Sequence, residues 1–168
     1  MRLSTDRLEL VACQPELADA LPNDRGRAEE MLAAALPEGW PDEELMGLLP
    51  ITGKTTLGFG IWVVVDPDRG VVVGSAGFVG DPQDGEVELG YGIHPSFRGL
   101  GYATEASKAL VDWALAQEAV REVVAECEQT NIPSVRVLEK VGLERHGVRG
   151  ARVLWSSRSD RVERSTSS

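Results

Sequence analysis

The sequence predicts an α/β (α+β) domain built on a mixed, mostly antiparallel sheet with helices on both faces. Three observations predict it. Three segments with strand character, Leu57 to Val65, Val71 to Val79 and Glu86 to Ile93, follow one another through two short turns, which makes them antiparallel neighbours. Helical spacing then takes over, with Ala103, Ala106, Leu110, Trp113 and Ala114 at i, i+3 and i+4. A further strand, Val120 to Cys127, comes after that helix. It should lie parallel to the strand before the helix, through a right-handed crossover.

Bulk properties bound the answer. The 168 residues suffice for one domain with a real core, and 42% apolar with 26% charged residues is a globular composition. We expect that domain to span residues 1–155. No apolar run reaches membrane-spanning length, and no basic-then-apolar leader occupies Met1 to Val11. Cys13 and Cys127 make no disulfide framework and no metal spacing, and His94 and His146 are far apart in sequence. These features point to a reducing, cytoplasmic setting, no metal and no membrane partner. A net charge of −10 argues against a nucleic-acid surface, which needs clustered Lys and Arg.

In chain order, Ser4 to Cys13 alternates and reads as a strand beginning near Arg7. Pro15 to Leu21 and Asp24 to Leu36 read as helices, the second capped by Asn23 or Asp24, with Met31, Leu32, Ala35 and Leu36 as its stripe. Asp42 to Ile51 is a third helix, and the strands then turn at Asp66 to Gly70 and Asp81 to Gly85. The long helix runs from Gly101 to about Glu118. Thr130 or Asn131 caps a helix from Ile132 to Val141 that Gly142 ends. Leu143 to His146 and Arg152 to Trp155 close the fold, and residues 156–168 read as a disordered tail.

The segment from Glu86 to Glu105 carries the chemistry. Val87, Leu89, Tyr91 and Ile93 share one strand face, and Glu86, Glu88, Gly90 and Gly92 the other. Pro95 ends the strand. Arg98-Gly99-Leu100-Gly101-Tyr102-Ala103 then opens the long helix. The first N–H groups of a helix lack intrahelical partners and lie at its positive end. Glycines let an anion approach that backbone, and Arg98 adds a charge able to pair with phosphate.

With these residues the chain resembles the GNAT superfamily of N-acetyltransferases, in its RimJ/RimL-like branch. The family pattern is Arg or Gln, two residues, Gly, one residue, then Gly or Ala, and residues 98–103 match it. Thr5-Asp6-Arg7-Leu8-Glu9-Leu10 resembles the family's first strand, and Asn131 to Leu143 its late helix motif.

The resemblance implies a splayed parallel strand pair and acetyl-CoA as co-substrate. The pyrophosphate would lie on the N–H groups of Arg98, Gly99, Leu100, Gly101, Tyr102 and Ala103, with Thr104 adding a hydroxyl. The pantetheine arm would pair with the backbone of Tyr91, Gly92 and Ile93. Asn131 would reach the donor, and Ser134 would protonate the leaving thiolate. The acceptor would be a primary amine, on a small molecule or on a peptide or protein N-terminus. A second copy of the chain is a candidate partner.

A lysine-like amine, of pKa about 10.4, costs roughly 4–5 kcal/mol to hold neutral at pH 7; an α-amine, near 7.7–8.0, costs only about 1 kcal/mol. A base therefore matters more for the first. Glu88 is the candidate, with Glu86 second and Tyr91 and His94 behind them. Backbone N–H groups near Ile93 would meet charge on the oxyanion.

Two alternatives compete. A dinucleotide-binding enzyme would use Gly99-x-Gly101-x-x-Thr104 with Glu126, 22 residues after Thr104, but Thr104 replaces the third glycine and the loop from His94 to Phe97 is too long. A non-catalytic acetyl-CoA sensor of the same fold is the other.

Overall fold

The computed structural model describes residues 1–158. Its strands are β1 (Arg2–Ser4), β2 (Glu9–Ala12), β3 (Ile61–Asp66), β4 (Val71–Phe78), β5 (Glu86–Ile93), β6 (Glu122–Glu128), β7 (Glu144–Arg149) and β8 (Arg152–Ser156). Its helices are α1 (Pro15–Asn23), α2 (Arg25–Leu32), α3 (Glu43–Thr52), α4 (Tyr102–Leu115) and α5 (Ile132–Val141). Among the described residues the strands form one sheet in the order β1-β2-β3-β4-β5-β6-β8-β7. Only β5 and β6 are parallel. The expected mixed, mostly antiparallel sheet is what forms.

Alternation along the central strands divides the core in two. Ile61, Val63 and Val65 of β3 pack with Val11 and Val72 under α1, α2 and α3, around Leu17, Leu21, Leu32 and Leu49. Trp62 and Val64 point the other way, onto α4 and α5, with Leu110, Ala114, Leu138 and Val123. Every residue of β3 is buried because helices cover it on both faces.

Local signals set the helix starts. Asp24 and Asp42 accept from the amides of Arg27 and Leu45, and Asn131 accepts from that of Ser134. Tertiary pairing overrides local pattern elsewhere. The first strand is a hairpin instead of a single run: β1 pairs with β2, and the chain reverses at Thr5, whose N–H donates to the Leu8 carbonyl. Helix α2 stops at Leu32 and not Leu36, because Ala33 adopts a left-handed conformation and Ala35 bridges to Val71 at the start of β4. Strand β3 begins at Ile61, four residues later than expected. The closing strands are crossed: β8 lies between β6 and β7. The expected tail starts too early, since Ser156 ends β8 buried against Glu122 and the Ser157 hydroxyl accepts from the Val123 amide. Residues 159–168 of that tail lie outside the described residues.

The late start of β3 has a packing cause. Trp113 of α4 stacks among Phe59, Trp62 and Phe78 at ring distances of 5.1, 5.5 and 6.1 Å. Gly58, at φ +98°, lets the indole lie against the backbone, for a Cβ there would stand 2.3 Å from the Trp113 ring. The Trp62 indole N–H donates to the Gly58 carbonyl at 2.8 Å. Gly58→Ala should therefore destabilise the domain by about 2–3 kcal/mol, through overpacking and backbone strain together. Urea unfolding checks this, and a loss below about 0.5 kcal/mol would contradict it.

Candidate functional site

The site begins where two strands part. β5 and β6 pair only at Glu86↔Glu122, Val87↔Val123 and Glu88↔Val124. Beyond that point β5 stays with β4 as far as Ile93, while β6 turns to β8 through Glu128. The divergence opens a cleft whose vertex is Glu88.

Strand alternation says which backbone groups face it. The His94 amide donates to Val73 on β4, and the Glu88 carbonyl accepts from Val79 at the end of β4. Successive residues of a strand send their backbone groups to opposite sides. Glu88, Gly90, Gly92 and His94 therefore face β4, and Leu89, Tyr91 and Ile93 face the cleft. The Ile93 carbonyl is met by Nε of Arg98 at 3.0 Å. Of the three residues expected to offer backbone to the thioester arm, Tyr91 and Ile93 are turned toward the cleft and Gly92 is turned toward β4.

The glycine turn stands at the mouth. Pro95–Phe97 forms one 3₁₀ turn, Arg98 is extended, and Gly99 and Gly101 adopt φ of 79° and 82°, which suits residues without a Cβ. Gly101 ends the turn as the N-cap of α4 and supplies no side-chain cap, so the first amides of α4 keep their donor capacity. Gly99, Leu100 and Gly101 are exposed, and Ala103 and Thr104 half-buried. Tyr102 sends its side chain inward, where its hydroxyl donates to Asp66 Oδ2 at 2.6 Å, leaving only its backbone on the outer side.

At the start of α5, on the other side of the cleft, Asn131 is exposed and its Oδ1 caps the Ser134 amide at 3.2 Å. The Tyr91 hydroxyl lies 3.4 Å from the Ser134 carbonyl. Burial raises the Tyr91 pKa, keeping the phenol protonated. Tyr91 and Ser134, distant in sequence, thus meet beside the splayed backbone.

Glu88 lies on the opposite face of β5 from Tyr91. Its pKa is raised, first by burial, then by the charges of Glu126 and Glu86, with Arg152 and Arg149 opposing. Glu126 is held by Arg149 at 3.2 Å and Arg152 at 3.1 Å. His94 is engaged elsewhere. Its Nδ1 accepts from the Ser96 amide, so the proton belongs on Nε2, which donates to the Glu38 carbonyl at 2.8 Å. Among the described residues no group of three His, Cys, Asp or Glu is placed to hold a metal ion.

Sequence reasoning missed a brace under the turn. Arg7 donates through Nη1 to the Leu100 carbonyl at 2.8 Å and through Nε to Glu105 at 2.7 Å. Glu105 also accepts from the Arg7 amide and the Thr5 hydroxyl. The guanidinium stacks 4.8 Å from the centre of the Tyr102 ring. The only signal in the sequence was the Thr-Asp-Arg-Leu string itself.

Known proteins resemble this chain in sequence and in fold. Residues 5–144 match the family described as the acetyltransferase (GNAT) domain. The "Uncharacterized N-acetyltransferase YjdG" of Bacillus subtilis is 34% identical over 147 residues, covering 83% of this chain and 88% of its own. A GNAT-family acetyltransferase structure from Bacillus anthracis superposes with a TM-score of 0.64 at 22% identity, over 93% of this chain and 97% of that one. The ribosomal alpha-N-protein acetyltransferase RimL, solved in complex with coenzyme A, superposes with a TM-score of 0.65 at 17% identity, again over 93% and 97%. The two structures share the fold.

The brace carries a pH signature. Burial works against ionisation of Glu105, but the hydrogen bonds from Thr5 and Arg7 and the Arg7 charge outweigh it and depress its pKa below the ordinary 4.5. A depressed carboxylate contributes stability that is present above its unfolded pKa and lost as pH falls through its folded one. The difference in unfolding free energy between the parent and Glu105→Gln should be constant above about pH 5 and shrink on acidification below it. Urea unfolding from pH 7 to pH 3 checks this; a difference that grows in acid would contradict it.

Proposed function

The chain belongs to the GNAT acetyltransferase family, and we propose that it is an acetyl-CoA-dependent N-acetyltransferase acting on a primary amine, with a peptide or protein N-terminal α-amine as the favoured acceptor class. One observation carries the reading: the edge of β5 that β6 leaves unpaired beyond Glu88 leads to an exposed glycine turn, where the opening amides of α4 keep their donor capacity. The residues present suit the donor's two halves. The amides of residues 99–103 and the Arg98 guanidinium suit a pyrophosphate. The cleft-facing backbone of Tyr91 and Ile93 suits the amide-bearing arm, which can pair with it as a strand would. Acetyl-CoA supplies the activated acyl group.

The chain's residues then divide the work. An arm running along β5 toward the vertex brings the reacting carbon close to Glu88. Glu88, exposed at the vertex with its pKa raised by partial desolvation and by the charge of Glu126, is suited to accept a proton from the amine at neutral pH. It can also hold the amine as a cation before reaction. The Tyr91 N–H, which faces the cleft nearer to Glu88 than that of Ile93, is a donor for charge that builds on the carbonyl oxygen. The Ser134 hydroxyl delivers a proton to the departing thiolate, and the Tyr91 phenol, protonated and beside Ser134, is the alternative source. A thiol of pKa near 8.5 needs only modest help to leave. Asn131 contributes by fixing the first turn of α5.

Both described cysteines, Cys13 and Cys127, are free and buried, which suits a reducing compartment and a cytoplasmic protein. No helix among the described residues is long and apolar enough to cross a membrane. We assign the activity to a single domain, expected over residues 1–155 and carried by the end of β8 to Ser156. The non-catalytic alternative finds no support, because the matched family and the Bacillus subtilis relative YjdG are both described as acetyltransferases.

The test is thiol release from acetyl-CoA against peptide α-amines, lysine side-chain amines, polyamines and amino sugars. Glu88→Gln should lower kcat/KM by ~10²-fold for a lysine-like amine and by less than about tenfold for an α-amine, which needs less help to lose its proton. Acetyl-CoA binding with no release to any acceptor would overturn the catalytic reading, and NAD binding without acetyl-CoA binding would overturn the donor.

A further inference from the structure

The glycine turn has a second cation behind it. Arg7 stands in the reversal between β1 and β2, yet its guanidinium is fixed from three sides. Glu105 holds Nε, the Leu100 carbonyl accepts from Nη1, and the Tyr102 ring lies beneath, itself anchored by Asp66. Nη2 stands 3.3 Å from where a Cβ on Gly101 would be, so the guanidinium lies directly against the turn.

The bond to Leu100 has a consequence fixed by covalent geometry. In a planar trans peptide the C=O of one residue and the N–H of the next point in opposite directions. Drawing the Leu100 carbonyl onto Arg7 turns the Gly101 N–H the other way, out of the protein. It also masks a partial negative charge that would repel a phosphate oxygen. A turn flanked by two glycines has little else to choose its peptide orientation.

Resting on the donor proposed above, we infer that Arg7 is a positioning residue for the donor's pyrophosphate: by holding the Leu100 carbonyl it aims the Gly101 amide at the anion. Glu105 completes the device by holding Nε and so fixing the plane of the guanidinium. The role belongs to the fork shape of arginine. A lysine keeps the charge but cannot reach Glu105 and Leu100 in the same planar geometry.

The experiment compares the parent with Arg7→Lys and Arg7→Ala, measuring acetyl-CoA Kd by calorimetry and steady-state kinetics with two donors. Acetyl-CoA carries the pyrophosphate; acetyl-pantetheine lacks it. Both variants should raise Kd and KM for acetyl-CoA roughly tenfold, the size expected for a lost charge-assisted contact. Their kcat should stay within about twofold, and kcat/KM with acetyl-pantetheine should be unchanged. Arg7→Lys, which keeps the cation and the stem, carries the test where Arg7→Ala unfolds. An unchanged acetyl-CoA Kd in Arg7→Lys overturns the inference alone, as does an equal loss with both donors, which would mark general damage. A parent that binds no acetyl-CoA overturns the proposed function, and this inference with it.

Discussion

The rest of the site depends on the parting of β5 and β6, which pair along their shared edge only as far as Glu88 and Val124. On their outer edges β8 holds β6 from Val124 to Glu128, and β4 holds β5 up to Ile93. Only three residue pairs join the two halves of the sheet. Each half twists with its own partner, so the gap widens beyond Glu88 and Val124. Backbone groups on the cleft side of β5 are left to water or a ligand, and each such group costs about 1–3 kcal/mol if buried without a partner. An edge in that state can accept a ligand that pairs as a strand would.

The rest of the site is arranged around that edge. α4 must leave from its far end, because β5 stops at Pro95, so the unsatisfied amides at the start of α4 fall at the mouth. α5 follows β6 and brings Ser134 to Tyr91. Glu88 sits at the vertex on the other face, beside Glu126, which Arg149 and Arg152 hold. The turn itself is fixed from behind by residues of three separate segments: Arg7 and Thr5, Tyr102 and Glu105, and Asp66. A turn held in this way need not be ordered by what it binds, which lowers the entropic cost of association.

Local physics made part of this legible in the sequence. The limits of β5 and α5 agree with strand alternation, the Asn131 cap and the Gly142 stop, because short-range signals set them. The turn was readable for the same reason. What escaped was tertiary in origin. Ala33 to Leu36 carries a helical stripe, yet the pull of β4 on Ala35 ends α2 first. No local pattern places β8 between β6 and β7, and none announces that Arg7 meets Leu100. Gly92 shows the finer limit: a strand could be read as a strand, but which of its amides face the cleft depends on its partner's register.

The central claim is that the splayed edge and the glycine turn together receive the acyl donor. Amide hydrogen exchange, followed residue by residue by NMR without and with saturating acetyl-CoA, tests it most directly. Exchange should slow at Tyr91 and Ile93 and across residues 99–103, while Gly92, already directed to β4, keeps its rate. Slowing at Gly92 but not at its neighbours, or none along β5 and the turn, would contradict it.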